Sequence, residues 1–358
     1  MPATPTAKMH TATDLPAVSV IVPARNEEAS LSLCLNSLIT QTGISFEIIV
    51  VDDHSTDRTR EIASSFSHSP ARIHVIEAGG LPPGWTGKNN AATAGAKIAR
   101  GAWLLFTDAD TVHLPGSLKR SIDEAERQHA ALLSYSPEQI VKSFCEKAIM
   151  PVIFADLATN FRPSQVSDPN SAAAAANGQY ILISREAYDA VGGHAAIAAN
   201  LLEDVALARA VKKSGRRIFF RFGGDAVRTR MYRSFSQLRE GWTKNLVLLF
   251  PSPARLAALR AIEFVLIIAS FTISVATILR GHSRPAFAAG LVCVTLYALF
   301  LTRIRRAHFS GDANLLAFFG LPLFSYLLLD SARAHGKGNV TWKGRKYSTE
   351  AGLLATGD

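Results

Sequence analysis

Cysteine is scarce in this 358-residue chain. Cys34, Cys145 and Cys293 stand far apart and are odd in number, which excludes a disulfide-stapled scaffold and makes a reducing, cytosol-facing compartment the expectation. Charge is scarce too, at 19% of residues against 48% hydrophobic, and mean hydropathy is slightly positive at +0.15. A chain with that balance is neither disordered nor of low complexity. No internal repeat is visible. Residues 1–16, rich in Ala, Thr and Pro, hold no apolar run, so a flexible N-terminus without signal peptide or anchor is expected there. Positive charge, by contrast, is abundant: 38 Lys and Arg face 29 Asp and Glu, a net +9. Residues 1–204 carry 15 basic and 22 acidic side chains, whereas residues 205–358 carry 23 and 7. Two electrostatic halves of this kind predict that only one part of the molecule meets a polyanion or a membrane surface.

The acidic half alternates strands and helices. Val18 to Val22 reads as a buried strand stopped by Pro23, and Leu31, Cys34, Leu35 and Leu38 have helical spacing. Phe46 to Val51 ends in Asp52-Asp53, where Thr56 or Asp57 can cap the next helix. Ile73 to Ile76, a small-residue helix from Lys88 to Ala99, and Trp103 to Phe106 continue the pattern, the last strand ending in Thr107-Asp-Ala-Asp110. Such alternation predicts an α/β fold around a mainly parallel sheet, with ligands bound beyond the carboxyl ends of its strands. Polar groups therefore converge on one edge.

The last third differs. Phe264 to Leu279, Pro285 to Thr302 and Ala313 to Leu329 are uncharged runs of 16, 18 and 17 residues, each near the roughly 20 needed to cross a bilayer. Three full spans from the cytosol place the basic tail (Lys337, Lys343, Arg345, Lys346) outside, against the positive-inside tendency, so one segment is expected to be re-entrant or interfacial, with Pro322 marking the third. Residues 205–260 hold 13 basic and 2 acidic residues, and Phe235, Leu238, Trp242, Leu246 and Leu249 recur at near-helical spacing. An amphipathic helix in the bilayer interface, over 233–255, is expected. Nucleic acid is not the expected partner, because no nucleic-acid-binding module accompanies the basic stretch. The organisation read from the sequence is 1–16, an α/β domain over 17–232, the interfacial helix, a transmembrane region over 256–330 and a basic tail over 331–358.

Asp108-Ala-Asp110 is the strongest chemical signal. Two carboxylates at i and i+2 on a turn after a strand can approach one Mg²⁺ or Mn²⁺, which then neutralises a diphosphate leaving group; the same residues also suit a strand-stopping turn. Lys88 opens a helix after a glycine turn, a place that suits a diphosphate and equally a solvated lysine. It is not part of a P-loop, whose spacing is absent.

Val18-Ser-Val-Ile-Val-Pro-Ala-Arg-Asn-Glu27, Ile48-Ile-Val-Val-Asp-Asp-His-Ser-Thr-Asp57, Phe106-Thr-Asp-Ala-Asp110 and Leu202-Glu-Asp204 together resemble the ordered motifs of family 2 glycosyltransferases, over about residues 18–245. Leu81 to Lys88 and the three following apolar segments look like the membrane-bound branch that includes hopene-associated and carotenoid-type enzymes. The resemblance implies a GT-A, Rossmann-like nucleotide-sugar-binding domain followed by C-terminal transmembrane helices. It implies that Pro23, Ala24, Arg25 and Glu27 line the nucleoside pocket and that Asp53, with Asp52 beside it, accepts from the base; Asp52 equally suits helix capping. It implies that Lys88 and Asp108 meet the diphosphate, that Asp108 and Asp110 hold the metal, and that Asp204, next to Glu203, is the base of an inverting transfer. Adjacent carboxylates opening a helix also complement its dipole. On the acceptor side stand Gly178, expected to allow close backbone approach or simply a tight turn, and Trp242.

Two positions fit the family less directly. His194 in Gly192-Gly-His194 suits loop packing better than substrate contact. The family's Gln-Arg-x-Arg-Trp segment reads Gln237-Leu-Arg-Glu-Gly-Trp242 here, so Arg230, Arg233 or Lys244 is left to supply positive charge. The expected protein is a hexosyltransferase-type enzyme of the inner membrane, multi-pass, with its catalytic domain facing the cytoplasm, a nucleotide-sugar donor (UDP-sugar preferred) and a hydroxyl- or carboxyl-bearing lipid acceptor. No obligate protein partner is evident in the sequence. The alternatives are a processive polysaccharide synthase, from which the segment at Gln237 and the number of apolar runs depart, and a non-catalytic membrane scaffold.

Overall fold

A computed structural model describes residues 15–347 except Pro70. The expected N-terminal segment 1–16 therefore lies almost wholly outside the described residues, as does the tail beyond Tyr347. Among the described residues there are twelve strands: β1 Val18–Ala24, β2 Phe46–Asp52, β3 Arg72–Glu77, β4 Trp103–Phe106, β5 Thr111–His113, β6 Leu132–Ser136, β7 Glu138–Gln139, β8 Ile181–Ser184, β9 Ile218–Phe222, β10 Val227–Thr229, β11 Val340–Trp342 and β12 Arg345–Tyr347. The helices of the α/β part are α1 Leu31–Ile39, α2 Thr59–Ser65, α3 Gly87–Ile98, α4 Ser117–Arg127, α5 Phe144–Asn160, α6 Pro163–Ser167, α7 Arg185–Ala190, α8 Gly193–Ala196 and α9 Glu203–Lys213. Four more follow: α10 Phe235–Leu249, α11 Pro253–Leu279, α12 Ser283–Ile304 and α13 Gly311–Gly336.

The main sheet runs β3-β2-β1-β4-β8-β6-β9, parallel throughout except for β8. Its central strands are apolar on both faces, because helices cover both. Ile21, Ile49 and Leu104 pack under α3, α7 and α9, while Val20, Val22, Ile48 and Leu105 pack against α1 and α4. β1 pairs with β2 from Val18↔Phe46 to Ala24↔Asp52, and with β4 from Val18↔Trp103 to Ile21↔Phe106. That register brings the ends of β1 and β2 level while β4 stops three residues earlier, opposite Ile21, and the loops after all three open on one edge.

A third core joins this domain to the C-terminal helices, with Ile149, Ile153, Trp242, Leu246, Phe300 and Phe324 among its buried members. The helix expected to lie free in a bilayer interface, α10, instead turns Leu238, Trp242 and Leu246 inward against α5 and α13. This corrects the sequence reading: amphipathic spacing identifies an apolar face without saying whether lipid or protein covers it.

Among the described residues three helices are long and apolar enough to cross a membrane, but they are not alike. The most apolar windows of α11 and α12 are 11% buried, against 50% for α13. The first two form a hairpin that leaves Leu266, Phe271, Ile278, Phe287 and Val294 exposed. Its foot is fixed by charge: Arg260 meets Asp156 of α5 at 2.6 Å, and Arg303 meets Glu263 at 2.8 Å. By contrast, α13 is bound to the α/β head along its length. Asp312 pairs with Lys147 at 2.6 Å near its start, and Asp330 pairs with Arg239 at 2.9 Å near its end. Between them Gly320 lies directly on the backbone of α5, where a Cβ would collide with the Ala148 carbonyl. The chain leaving α13 thus returns to the head, and the basic residues after it form the hairpin β11–β12 rather than a tail beyond a third span.

This packing makes a stability prediction. Gly320→Ala is expected to destabilise the detergent-solubilised protein by about 1–3 kcal/mol or more, since the wall it meets is backbone. Gly336→Ala, with nothing within 4 Å of the added carbon, should be neutral or mildly stabilising. Thermal unfolding of the two variants side by side checks the contrast.

Candidate active site

A cavity of about 680 Å³ opens at that edge of the sheet. Of the residues singled out in the sequence, Pro23, Ala24, Arg25, Glu27 and Asp53 line it after β1 and β2. Lys88, Asp108, Asp110, Gly178, Glu203, Asp204 and Trp242 line it from the other elements. Asp52 does not. Neighbouring residues on an extended chain face opposite ways, and Asp52, buried, takes the backbone N–H of Ser55 at 3.4 Å within the turn. His194 is also away from the cavity, edge-on to Phe106 and 3.1 Å from the Tyr188 hydroxyl, and burial pulls its imidazole down to about 4. It is a neutral packing residue.

Lys88 organises the acidic end. Its Nζ is 2.6 Å from Asp108 Oδ1 and 2.7 Å from Glu203 Oε1. Burial alone would lower this ammonium, but the two carboxylates outweigh it and hold the lysine well above its usual value. Two features place it there. Thr86 caps α3, its Oγ1 taking the Asn89 N–H at 3.2 Å. The fully buried Asn89 amide then reaches the carbonyls of Ile197, Ala198 and Asn200 at 3.0 to 3.1 Å, fastening the loop that leads into Glu203 onto the start of α3. Gly178 closes the set. A Cβ there would sit 3.0 Å from Lys88 Nζ and 3.1 Å from Glu203 Oε1, so the missing side chain is what admits the pair.

Asp204, the second residue of α9, receives the Gly178 N–H at 3.0 Å and the Val205 N–H at 2.8 Å. Burial, followed by the charge of Glu203, nevertheless raises its carboxyl to about 6. Glu203 moves the other way: burial would raise it, but Lys88 holds it below the usual range. Two adjacent carboxylates, both lining the cavity, therefore differ in proton affinity. Asp110 is pushed up to about 8 by burial and then by the charges of Asp108 and Glu27, and its Oδ1 is buried without a hydrogen-bond partner. An orphaned buried oxygen beside a second carboxylate fits a divalent cation. Among the described residues no cluster of three or more His, Cys, Asp or Glu side chains is arranged for a metal, so an ion held by this pair takes its other ligands from water or substrate oxygens.

Beyond the acidic end the cavity turns apolar. Phe154 and Leu157 of α5, Phe161 just after it, Phe222 of β9 and Trp242 carry it towards Ala307 and His308, at the foot of α12. His308, in the left-handed region at φ 59, stacks on Phe222 at 4.3 Å. Of the three cations left open by the sequence, Arg230 is taken by Glu146 at 2.9 Å and Arg233 donates to the Ala29 carbonyl at 3.0 Å. Lys244 lines the cavity without an ion-pair partner among the described residues, and burial lowers its ammonium. The sequence reading missed Trp342, Lys343 and Arg345, which also line the cavity. Arg345 grips Asp53 with both terminal nitrogens, and Lys343 pairs with Glu27. No local signal marks them; only the course of α13 brings them here.

The order of the main sheet and the helices covering both its faces are those of a GT-A fold. Residues 19–189 match the family model of glycosyl transferase family 2. It is 29% identical over 343 residues, 93% of this chain and 88% of the relative, to 4,4'-diaponeurosporenoate glycosyltransferase of Staphylococcus aureus (strain USA300). In fold it is similar to the mannosyltransferase PcManGT from Pyrobaculum calidifontis, solved in complex with GDP-Man and Mn²⁺. That likeness has a TM-score of 0.50 at 16% identity, covering 90% of this chain and 87% of the other.

Gly178→Ala is expected to leave the protein folded but to push Lys88 and Glu203 out of place. Sugar transfer should fall about ten- to a hundred-fold with little change in melting temperature, measured in parallel on the same preparation.

Proposed function

We propose that this enzyme is an inverting, metal-dependent hexosyltransferase that moves a sugar from a nucleotide-sugar donor, preferentially a UDP-sugar, to a lipid acceptor at the cytoplasmic face of the inner membrane. The observation that carries the reading is one cavity that joins the Asp108–Asp110 pair and Asp204 to an aromatic arm reaching the foot of the α11–α12 hairpin. The names of the relatives point the same way: one acts on a carotenoid acid, another was solved with GDP-Man and Mn²⁺. The α/β domain over 17–232 forms the catalytic head, and the hairpin α11–α12 is the part that enters the bilayer as a multi-pass anchor.

In this reading Pro23, Ala24, Arg25, Glu27 and Asp53 hold the nucleoside, with Asp53 accepting from the base. Asp108 and Asp110 hold Mg²⁺ or Mn²⁺, which supplies charge neutralisation to the departing diphosphate. Lys88 fixes Asp108 and Glu203 in mutual register, and Lys244 offers a cation to the diphosphate side, in the place where the family's arginine is missing. Asp204 takes the proton of the acceptor hydroxyl as that oxygen attacks the anomeric carbon from the face opposite the leaving nucleotide. A carboxyl raised to about 6 is a stronger base than an ordinary aspartate yet still ionised at neutral pH. Gly178 and Trp242 border the acceptor's approach, and the aromatic arm receives its apolar chain.

Membranes containing the enzyme, incubated with radiolabelled nucleotide sugars and extracted with organic solvent, should carry label in the lipid phase. Label confined to insoluble polymer would point instead to a polysaccharide synthase. Asp204→Asn and Asp110→Ala are each expected to lower transfer by about a hundredfold or more, and normal transfer by either folded variant removes its assigned role. Because the base acts in its ionised form, kcat/KM should rise through a pKa near 6 and fall about tenfold per pH unit below it; an acid limb that persists unshifted in Asp204→Asn would assign it to another group.

A further inference from the structure

The hairpin β11–β12 closes the nucleoside end of the cavity from outside the domain that builds it. Its two-residue connection, Lys343-Gly344, has φ of 45 and 78, the pair of positive values that a tight type I′ turn requires. Gly344 adopts this freely, whereas a lysine does so at a cost. Lys343 is held there by its own side chain, which donates to the Arg25 carbonyl at 2.9 Å and pairs with Glu27. Arg345, the next strand residue, aims its guanidinium at Asp53 with one nitrogen at each carboxylate oxygen, the second at 2.9 Å. The same group fills the space over Gly87 at the start of α3, where a Cβ would overlap it. Both acidic side chains of the nucleoside end are thus already occupied, by cations lying 316 and 292 residues further along the chain.

We propose that Arg345 competes with the base of the donor nucleotide for Asp53, so that the C-terminal hairpin sets donor affinity and swings out when the nucleotide enters. The proposal rests on the reading of Asp53 as the carboxylate that accepts from the base. A base N–H must approach Asp53 from the cavity side, which is where the guanidinium fork lies. A bidentate, charged pair is stronger than one neutral N–H donor, so the nucleotide binds the fraction of molecules in which the hairpin has let go, and its apparent affinity is reduced by that fraction. The rest of the hairpin's hold is concentrated at its first strand and turn, where Val340 is buried, Trp342 packs on the third core and the Lys343 N–H donates to Glu240 at 3.2 Å, whereas Lys346 is exposed and nothing lies within 4 Å of a Cβ on Gly344.

The test uses the full chain in detergent micelles with Mg²⁺ and with UDP as probe, GDP in parallel. UDP should bind Arg345→Ala about tenfold more tightly than the wild type, with Arg345→Lys, which keeps the charge but loses the fork, in between. In the wild type, hydrogen exchange across residues 340–347 should speed up on UDP addition while residues 103–110 become more protected. Unchanged or weaker UDP binding by Arg345→Ala overturns the competition while leaving the donor site intact. Slower exchange at 340–347 on UDP addition, with a hairpin that closes over the nucleotide, overturns it as well. If neither nucleotide binds the wild type at millimolar concentration, the reading of the donor site fails and the competition fails with it.

Discussion

Six carboxylates face one cavity: Glu27, Asp53, Asp108, Asp110, Glu203 and Asp204. Gathering that much like charge in a partly buried space is unfavourable unless cations or protons offset it, and the construction of the site follows from this constraint. Lys88 spans Asp108 and Glu203, which enter from different ends of the α/β domain. Gly178 leaves room for it, and Asn89 holds the loop that delivers Glu203. Where no cation is supplied, at Asp110, the carboxyl is pushed up to about 8. Where the cation is only near, at Asp204, the outcome is a carboxyl at about 6. The ion-paired acids Asp108, Glu203, Glu27 and Asp53 are held in place by their cations, while Asp110 and Asp204, without an ion pair, have their carboxyls raised.

The C-terminal helices, long and apolar enough to cross a membrane, also serve that arrangement. A third span equivalent to the first two would have carried Lys343 and Arg345 away from the acids they neutralise. Because α13 lies against α5 and α10, through Gly320 in the middle and ion pairs towards both ends, it delivers them instead. The aromatic arm of the cavity borders the same helices, so that arm, the α11–α12 hairpin and the neutralising β11–β12 hairpin share one packed unit.

Much of the head was legible because its signals are local. Strand ends, the Asp108-Ala-Asp110 turn and the acidic pair opening α9 each need only a short window to be read, and strand register then collects them. Asp52 was separable from Asp53 only by alternation along an extended chain. The burial of α10 and α13 was not legible from hydropathy, which is blind to what covers an apolar face. A clue did exist in α13: Ala313, Ala317, Gly320, Ser325 and Ser331 place small residues on its buried side, as a protein-facing stripe would. For Trp342, Lys343 and Arg345 no local pattern exists, since their role is set by where a distant helix ends.

The long return of the chain has a consequence for biosynthesis. Asp53 is among the earliest parts of the site to emerge from the ribosome and Arg345 among the last, 292 residues later. The α11–α12 hairpin and α13 are made between them, and α13 has to settle on the head before Arg345 can reach its carboxylate. Until then Asp53 and Glu27 lack their cations. A finished β11–β12 hairpin on the cavity is therefore a sign that α13 has already packed in place.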